Sequence, residues 1–404
     1  MKNNNILIVV PLRGLNGATQ TFTSWIKYLC RLNFNVYLAG SKGNLLDWTD
    51  AFCHKQFILP NTYLNPSFNR LKIILDIIKV NKINLVWGVG TKTSMLTGLA
   101  GLVTGTKYLN IINVSPRKSV WPFYEKWKYP NFGHNITVNN EYKNLLINDC
   151  KIPSEYCHFV PAQFDLEELV PSFPIKKSRG DLKIISLFRR FDKAKSDGVL
   201  NFIDFIIKDK KLLNNTIYQF YGGGDSENIV IEKIKKLRKN GLKFEYKGFI
   251  KDIHKAMKNS DVIVGSERVA IEGCLSGKPC LIIDDNGLVD ILNQNNIHKF
   301  IFDNFTGGSF TEPEKIEDKI AVDLLSSYND LLLYSDIKEN YRILSENYSA
   351  FEGVKKLLRI SEIESGNKHR LRKIYRIIKG ISFMLGIQIL SYIKRRLTQS
   401  KVEK

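Results

Sequence analysis

Cysteine is scarce in this chain of 404 residues: there are six, at 30, 53, 150, 157, 274 and 280, with no Cys-x-x-Cys among them. That usage argues against a disulfide-stapled secreted scaffold and leads us to expect a reducing cytoplasm. The six histidines show no zinc-type spacing, and Cys53-His54 reads as an incidental surface pair. No Asp-x-Asp follows an apolar run, and Asp284-Asp285 reads as loop, so neither a metal nor a cofactor is expected. Long hydrophobic runs are missing too, and none approaches the roughly 20 residues needed to span a bilayer. The segment Lys2-Asn3-Asn4-Asn5 before the short run Ile6–Val10 lacks the length and cleavage site expected of a signal peptide. Acid is short relative to base: 40 Asp and Glu stand against 60 Lys and Arg, a net charge of +20. The location of that excess decides its meaning.

The apolar fraction, 44%, is that of packed globular domains, and the length exceeds one ordinary core, so two domains are expected. Apolar runs at Ile6–Pro11, Val36–Ala39, Leu85–Val89, Tyr108–Ile112 and Ile136–Val138 do not alternate with polar residues. They read as buried parallel strands. Helical patterns lie between them at Thr21–Leu32, Leu71–Val80 and Ser94–Val103. A second set begins at Leu182–Phe188 and continues through Ile217–Tyr221, Phe244–Tyr246, Val262–Val264 and Cys280–Ile283. The alternation predicts an α/β protein of doubly wound sheets, with ligands at the carboxyl ends of the strands. Val160–Arg179, with three prolines and a Lys-Lys-Ser-Arg-Gly run, reads as the linker, and residues 316–363 read as helical. The expected segments are 1–165, 166–350 and 351–404.

The most informative stretch runs from Phe244 to Ile283. Lys247-Gly248-Phe249 ends a short strand, Asn259-Ser260-Asp261 leads into Val262–Val264, and Gly265-Ser266-Glu267-Arg268 precedes a small-residue helix carrying Glu272. Gly277-Lys278-Pro279 closes that helix before another strand. A carboxylate such as Glu272 can accept two hydrogen bonds from a vicinal diol, and a helix start beside it offers N–H groups to phosphate. A solvated helix glutamate is the plain alternative.

This order resembles the carboxyl-terminal domain of GT-B glycosyltransferases, family 4 in particular. The resemblance implies two Rossmann-like domains facing across a cleft, with residues 1–165 as the acceptor domain and 166–350 as the nucleotide-sugar domain. A last helix in 351–404 would bridge back to the first domain. Glu272 would then hold the ribose hydroxyls of a nucleotide sugar. Phe188-Arg189-Arg190-Phe191-Asp192-Lys193-Ala194-Lys195 matches the family's basic loop, so Arg190 and Lys195 would clamp the β-phosphate, with Arg189 in the family's Gly position. Gly17 and Ala18, in Pro11–Thr19, match the family's glycine-rich loop, with Asn16 and Thr19 departing from it. Gly223, within Tyr221–Asp225, would leave room for the nucleotide, and Lys247 and Phe249 would hold the base. Val160–Asp165 resembles the family's hinge, with Ala162-Gln163 replacing Asn-Gly. The family's earlier Glu, eight positions before the ribose Glu, is here Val264; Ser266, Glu267 and Arg268 are the candidates to replace its contacts, Glu267 in a catalytic role. The family's amino-domain His is missing, with Asn113 and Ser115 in its place.

Half of the net charge sits in the tail. Residues 367–404 hold eleven Lys or Arg and one Glu. Leu371, Ile374, Ile378, Ile381, Leu385, Ile389 and Tyr392 recur at helical steps. Arg370, Arg372, Lys373, Arg376 and Lys379 on one side, and Lys394, Arg395 and Arg396 on the other, bracket an uncharged middle. That is a basic amphipathic C-terminal helix suited to an anionic membrane surface; packing on the protein body is the alternative. Trp121–Tyr129 mixes aromatics with cations and reads as a second interfacial contact, an acceptor loop or buried packing.

The reading is therefore a retaining, metal-independent glycosyltransferase on the inner face of the cytoplasmic membrane. Its partners would be a nucleotide sugar and a lipid-linked or cell-surface glycan acceptor, as in O-antigen or capsule synthesis. A catalytically silent scaffold of a polysaccharide assembly complex is kept open by the missing His and by Val264. A nucleic-acid partner is not expected, because half the charge lies in one amphipathic tail and no nucleic-acid motif occurs.

Overall fold

The computed structural model describes residues 4–10, 17–41, 49–59, 67–113, 133–173, 182–250, 252–308 and 331–363, together with Ile377, Ile378 and Ile381. The chain divides into two compact units, residues 1–164 with 350–404 and residues 165–349.

Unit 1 runs β1 (Asn5–Val10), α1 (Gly17–Arg31), β2 (Asn35–Gly40), β3 (Lys55–Ile58), α2 (Phe68–Val80), β4 (Leu85–Val89), α3 (Thr91–Thr104), β5 (Lys107–Ile112), β6 (Asn135–Thr137), α4 (Asn140–Asn148) and β7 (Cys157–Phe159). Its seven strands are parallel in the order β3-β2-β1-β4-β5-β6-β7, so the winding reverses between β1 and β4. The pleat of β1 shows why its sequence is apolar from Ile6 to Val10. Leu7 and Val9 join a core with Ile74 and Ile78 of α2 and Leu96 and Leu99 of α3. Ile6, Ile8 and Val10 face the other way, onto Phe22, Trp25, Ile26 and Leu29 of α1. A strand buried on both faces favours apolar residues at successive positions.

Unit 2 runs β8 (Lys183–Phe188), α5 (Lys193–Lys208), α6 (Lys210–Leu213), β9 (Thr216–Tyr221), α7 (Glu227–Lys239), β10 (Phe244–Gly248), α8 (Ile253–Lys258), β11 (Val262–Gly265), α9 (Arg268–Leu275), β12 (Cys280–Ile283), β13 (Leu288–Ile291), α10 (Ile297–Phe302) and α11 (Leu331–Tyr348). The order is β10-β9-β8-β11-β12-β13, with β13 antiparallel to β12. Here the winding reverses between β8 and β11. The α/β class of two Rossmann-like units is thus the one expected. The short strands β3, β7 and β13 add to it. They are three or four residues long and mix polar with apolar side chains, so no apolar run marks them.

The final described helix, α12 (Ala350–Glu362), belongs to unit 1. Ala350, Val354, Leu357 and Ile360 pack into the core beneath α1, and the Ala350 N–H donates to Phe164 O at 2.9 Å. This corrects the reading of Val160–Arg179 as linker throughout. Val160 and Phe164 are 0% exposed, and Val160 shares the core that α12 joins. The tail also departs from expectation in its facing. Ile377 and Ile381, four apart and so on one helical face, pack against the core formed with α2 and α3. Ile378, expected beside Ile381, is 58% exposed. The basic residues Arg370, Arg372, Lys373, Arg376, Lys379 and Lys394–Arg396 lie outside the described residues, as do Trp121–Tyr129 and Ser115. Among the described residues, no helix is long and apolar enough to cross a membrane.

One polar contact fixes the seat of α12. Trp25 Nε1 donates to Gln163 Oε1 at 2.7 Å in the interior, and a Cβ on Gly353 would overlap the Gln163 amide. Gly353→Val should therefore lower the unfolding free energy by about 1–3 kcal/mol in denaturant titration. An unchanged midpoint would contradict this packing.

Candidate functional site

The carboxyl ends of β8, β9, β11 and β12 bring most of the expected residues of unit 2 together. β8 ends at Phe188, whose ring stacks on Tyr221 of β9 at 4.7 Å. The next residue, Arg189, turns inward and is 8% exposed. Its Nη1 donates to Ser266 Oγ at 3.0 Å and to Ile283 O at 2.6 Å, and its Nη2 pairs with Asp285 at 2.6 Å. Its Nε is buried without a partner. Arg190 turns outward: its side chain is 71% exposed and donates to Asp192 at 2.6 Å. The adjacent arginines thus divide the work, one tying strand ends and one facing solvent.

Asp192 caps α5 by accepting from the Lys195 N–H at 3.2 Å. Burial works against its charge, but the Arg190 hydrogen bond, the Lys195 N–H and both nearby cations together hold its carboxyl below the usual value. The same first turn aims Lys195 at the neighbouring loop, with Nζ 3.8 Å from Glu267 Oε2. Glu267 precedes α9 with φ 55°, a left-handed conformation that costs a non-glycine residue about 1–3 kcal/mol. A neighbouring turn secures it. The Glu267 N–H donates to Phe305 O at 2.7 Å, and the Phe305 ring is buried against Phe300 and Tyr348. One turn further along α9, Arg268 Nε donates to Glu272 Oε1 at 2.8 Å, with Glu272 only 2% exposed. Glu272 is therefore not a solvated helix residue; it is an interior carboxylate held by a cation. Val264 lies in the core of β11, so that position carries no polar contact.

The β9 turn closes on this cluster. A Cβ at Gly222 would overlap Arg189 O, and one at Gly224 would come within 2.6 Å of Phe191 O. Both glycines adopt φ near +150° (153° and 152°), where other residues are strained. Gly223 O accepts from the Phe191 N–H at 3.0 Å. At the rim, Lys247 pairs with Glu245 at 2.8 Å, and Phe249 is 67% exposed. Gly17 and Ala18 open α1 in unit 1. The rest of that loop, residues 11–16, lies outside the described residues, and Asn113 follows β5 directly.

Sequence reasoning missed Arg189, Asp192, Asp285 and the Phe305 turn. Two adjacent arginines give no sign of which turns inward, and the Phe305 turn is remote in sequence. An Asp three residues before Lys195, at an N-cap position, was the one usable signal.

Chemically, the cluster gathers cationic side chains and the start of α9 around one buried carboxylate. Cations and free helix N–H groups favour anions such as diphosphate. No protein-family model matches the chain, and no curated protein matches it in sequence. Solved structures do. A glycosyltransferase from Rickettsia africae is similar with a TM-score of 0.69 and 17% identity, covering 91% of this chain and 100% of its own. HepE of Anabaena, in complex with UDP, gives 0.65 and 14%, covering 88% and 98%. A putative UDP-N-acetylglucosamine 2-epimerase from Listeria monocytogenes gives 0.54 and 13%, covering 91% and 98%. At such identities the likeness establishes the fold: the chain has the GT-B fold.

Arg190→Ala should raise the Asp192 pKa toward that of a free carboxylate, as followed by carboxyl NMR titration. The sign follows from the depressed value. Asp192 contributes stability above its unfolded pKa and loses it as pH falls through the folded one. The variant should therefore lose less stability on acidification than wild type. Identical titrations would mean that Arg190 does not hold Asp192 in solution.

Proposed function

We propose that the chain is a glycosyltransferase that takes a sugar from a nucleoside diphosphate. The observation that carries this reading is the meeting of Lys195, Glu267, Arg268 and Glu272 at the strand ends of unit 2. A diphosphate leaving group gains negative charge as the bond to the sugar breaks, and fixed cations there stabilise that change most in the transition state. Lys195 and Arg190 supply the charge to the β-phosphate. Glu272 turns a carboxylate oxygen to the ribose diol, with Arg268 paired to its other side inside the protein. Such cations fill the electrostatic role of a metal ion, which supports a metal-independent mechanism. In the retaining course of family 4, the acceptor hydroxyl attacks from the face the diphosphate leaves and passes its proton to the departing oxygen.

A lipid-linked or surface-glycan acceptor fits the tail. Two weak signals, apolar area and positive charge, together anchor where either alone does not. We assign the chain to the inner face of the cytoplasmic membrane on that basis. Ile377 and Ile381 pack against the core of unit 1, and the exposed Ile378 is open to lipid. Because the fold is also that of a putative epimerase from Listeria, products decide the reaction. A transferase with acceptor releases one nucleoside diphosphate per sugar moved; an epimerase returns an isomeric nucleotide sugar; a silent scaffold does neither.

Glu272→Gln should abolish most of the melting-temperature rise caused by UDP, or by whichever of UDP, GDP, CDP and dTDP stabilises the wild type. Lys195→Ala should keep that rise and lower turnover by about a hundredfold, the usual cost of losing one such donor. An equal thermal shift in Glu272→Gln would remove Glu272 from the nucleotide site.

A further inference from the structure

In unit 1 the winding reverses between β1 and β4, and in open parallel sheets ligands bind outside the strand ends at such a point. The chain there reads Gly88-Val89-Gly90-Thr91-Lys92-Thr93-Ser94, from the end of β4 into the first turn of α3. Gly90 is the N-cap with φ 81°, no side chain caps the helix, and its first turn holds no acidic residue. The start of a 14-residue helix thus has neither a capping side chain nor an acidic residue of its own first turn to offset its positive end and its N–H groups. Gly88 allows the helix to begin this close to the strand: a Cβ there would overlap Thr97 Oγ1 and lie 2.9 Å from Ser94 Cα.

A second feature points to a missing ligand. The neighbouring hydroxyls of α3 are paired: Ser94 Oγ donates to Gly88 O at 2.8 Å, Thr97 Oγ1 to Thr93 O at 3.1 Å and Thr104 Oγ1 to Ala100 O at 2.8 Å. Thr93 Oγ1 has no partner, although the residue is 1% exposed. Buried hydroxyls are nearly always paired, because leaving one unpaired forfeits its hydration. Side chains of a helix lean toward its N-terminus, so a hydroxyl in the first turn leans toward the end where an anion sits.

We infer that the first turn of α3 is an anion site that takes a phosphate or pyrophosphate group of the acceptor, an assignment that rests on the transferase reading. The donor's diphosphate has its own cations in unit 2, so a second anion site serves the second substrate. The acceptor is therefore phosphate-bearing, either a lipid-linked phosphate or a water-soluble sugar phosphate. The hydroxyl of Thr93 donates to a phosphate oxygen alongside the helix N–H groups.

The test is calorimetric titration of inorganic pyrophosphate into the full chain held in saturating UDP, which fills the site of unit 2. Wild type takes up one further pyrophosphate. Thr93→Val keeps the shape, loses the hydroxyl and should bind it about tenfold more weakly or worse. Thr93→Ser should retain the affinity, and all three should bind UDP alike. Thr93→Val should melt no lower than wild type, since it removes an unpaired hydroxyl, so weak binding cannot be laid to unfolding. Equal pyrophosphate affinity in wild type and Thr93→Val, or no uptake by wild type, overturns the site. Failure of wild type to bind UDP strikes at the transferase reading instead, and the wild-type and Thr93→Val comparison is then made without UDP. Displacement by a short polyprenyl phosphate or by glucose 6-phosphate separates the lipid from the soluble source.

Discussion

In unit 2 the carboxyl ends of β8, β11 and β12 run out into loops that share no ladder hydrogen bonds, and the guanidinium of Arg189 is what ties them. It reaches a side chain after β11, a carbonyl at the end of β12 and a carboxylate just beyond. A planar fork can satisfy such divergent acceptors at once, which a lysine cannot. Everything proposed for the site hangs from that tie. Ser266 is the residue before Glu267, Glu267 faces Lys195, and α9 begins one residue later with Arg268. The Phe305 turn holds the same loop from its other side. The left-handed backbone at Glu267 persists because it is held from both directions.

The pairs of charges in this cluster differ in closeness. Arg268 Nε donates to Glu272 at an ordinary 2.8 Å, whereas Lys195 stands off Glu267 at 3.8 Å, beyond such a charge-assisted hydrogen bond. Such loose pairing is what a site needs if an incoming diphosphate is to compete for the cations. The tight bonds of the interior, at 2.6 Å, belong to Arg189. Rigid support and exchangeable charge are thus carried by different residues.

Much of the fold is legible in the order of residues alone. Buried parallel strands are mostly apolar on both faces, so β1, β4, β11 and β12 stand out as apolar runs, and β5 and β8 do so with one polar residue inside each, Asn110 and Ser186. The strands β3, β7 and β13 do not: at three or four residues, with Lys55, His158 and Asp290 among them, they hold edge positions that demand little apolar character. Glu272 is legible because the Gly-Lys-Pro turn places it a fixed distance from the strand that follows. Arg189 is not. Adjacent residues at a strand end point to opposite sides, and nothing in Arg189-Arg190 sets the parity. Val160 and Phe164 mislead for a different reason. Prolines nearby signal a linker, while the helix that shares a core with Val160 and bonds the Phe164 carbonyl arrives almost two hundred residues later.

The account stands on one claim, that a nucleoside diphosphate sits at the strand ends of unit 2. Hydrogen exchange with and without UDP tests it most directly. Protection should rise at Arg189–Lys195, at the Gly222–Gly224 turn and across Gly265–Glu272, with the far ends of the same strands unchanged. Unaltered exchange in those three segments at a UDP concentration that shifts the melting temperature would contradict it.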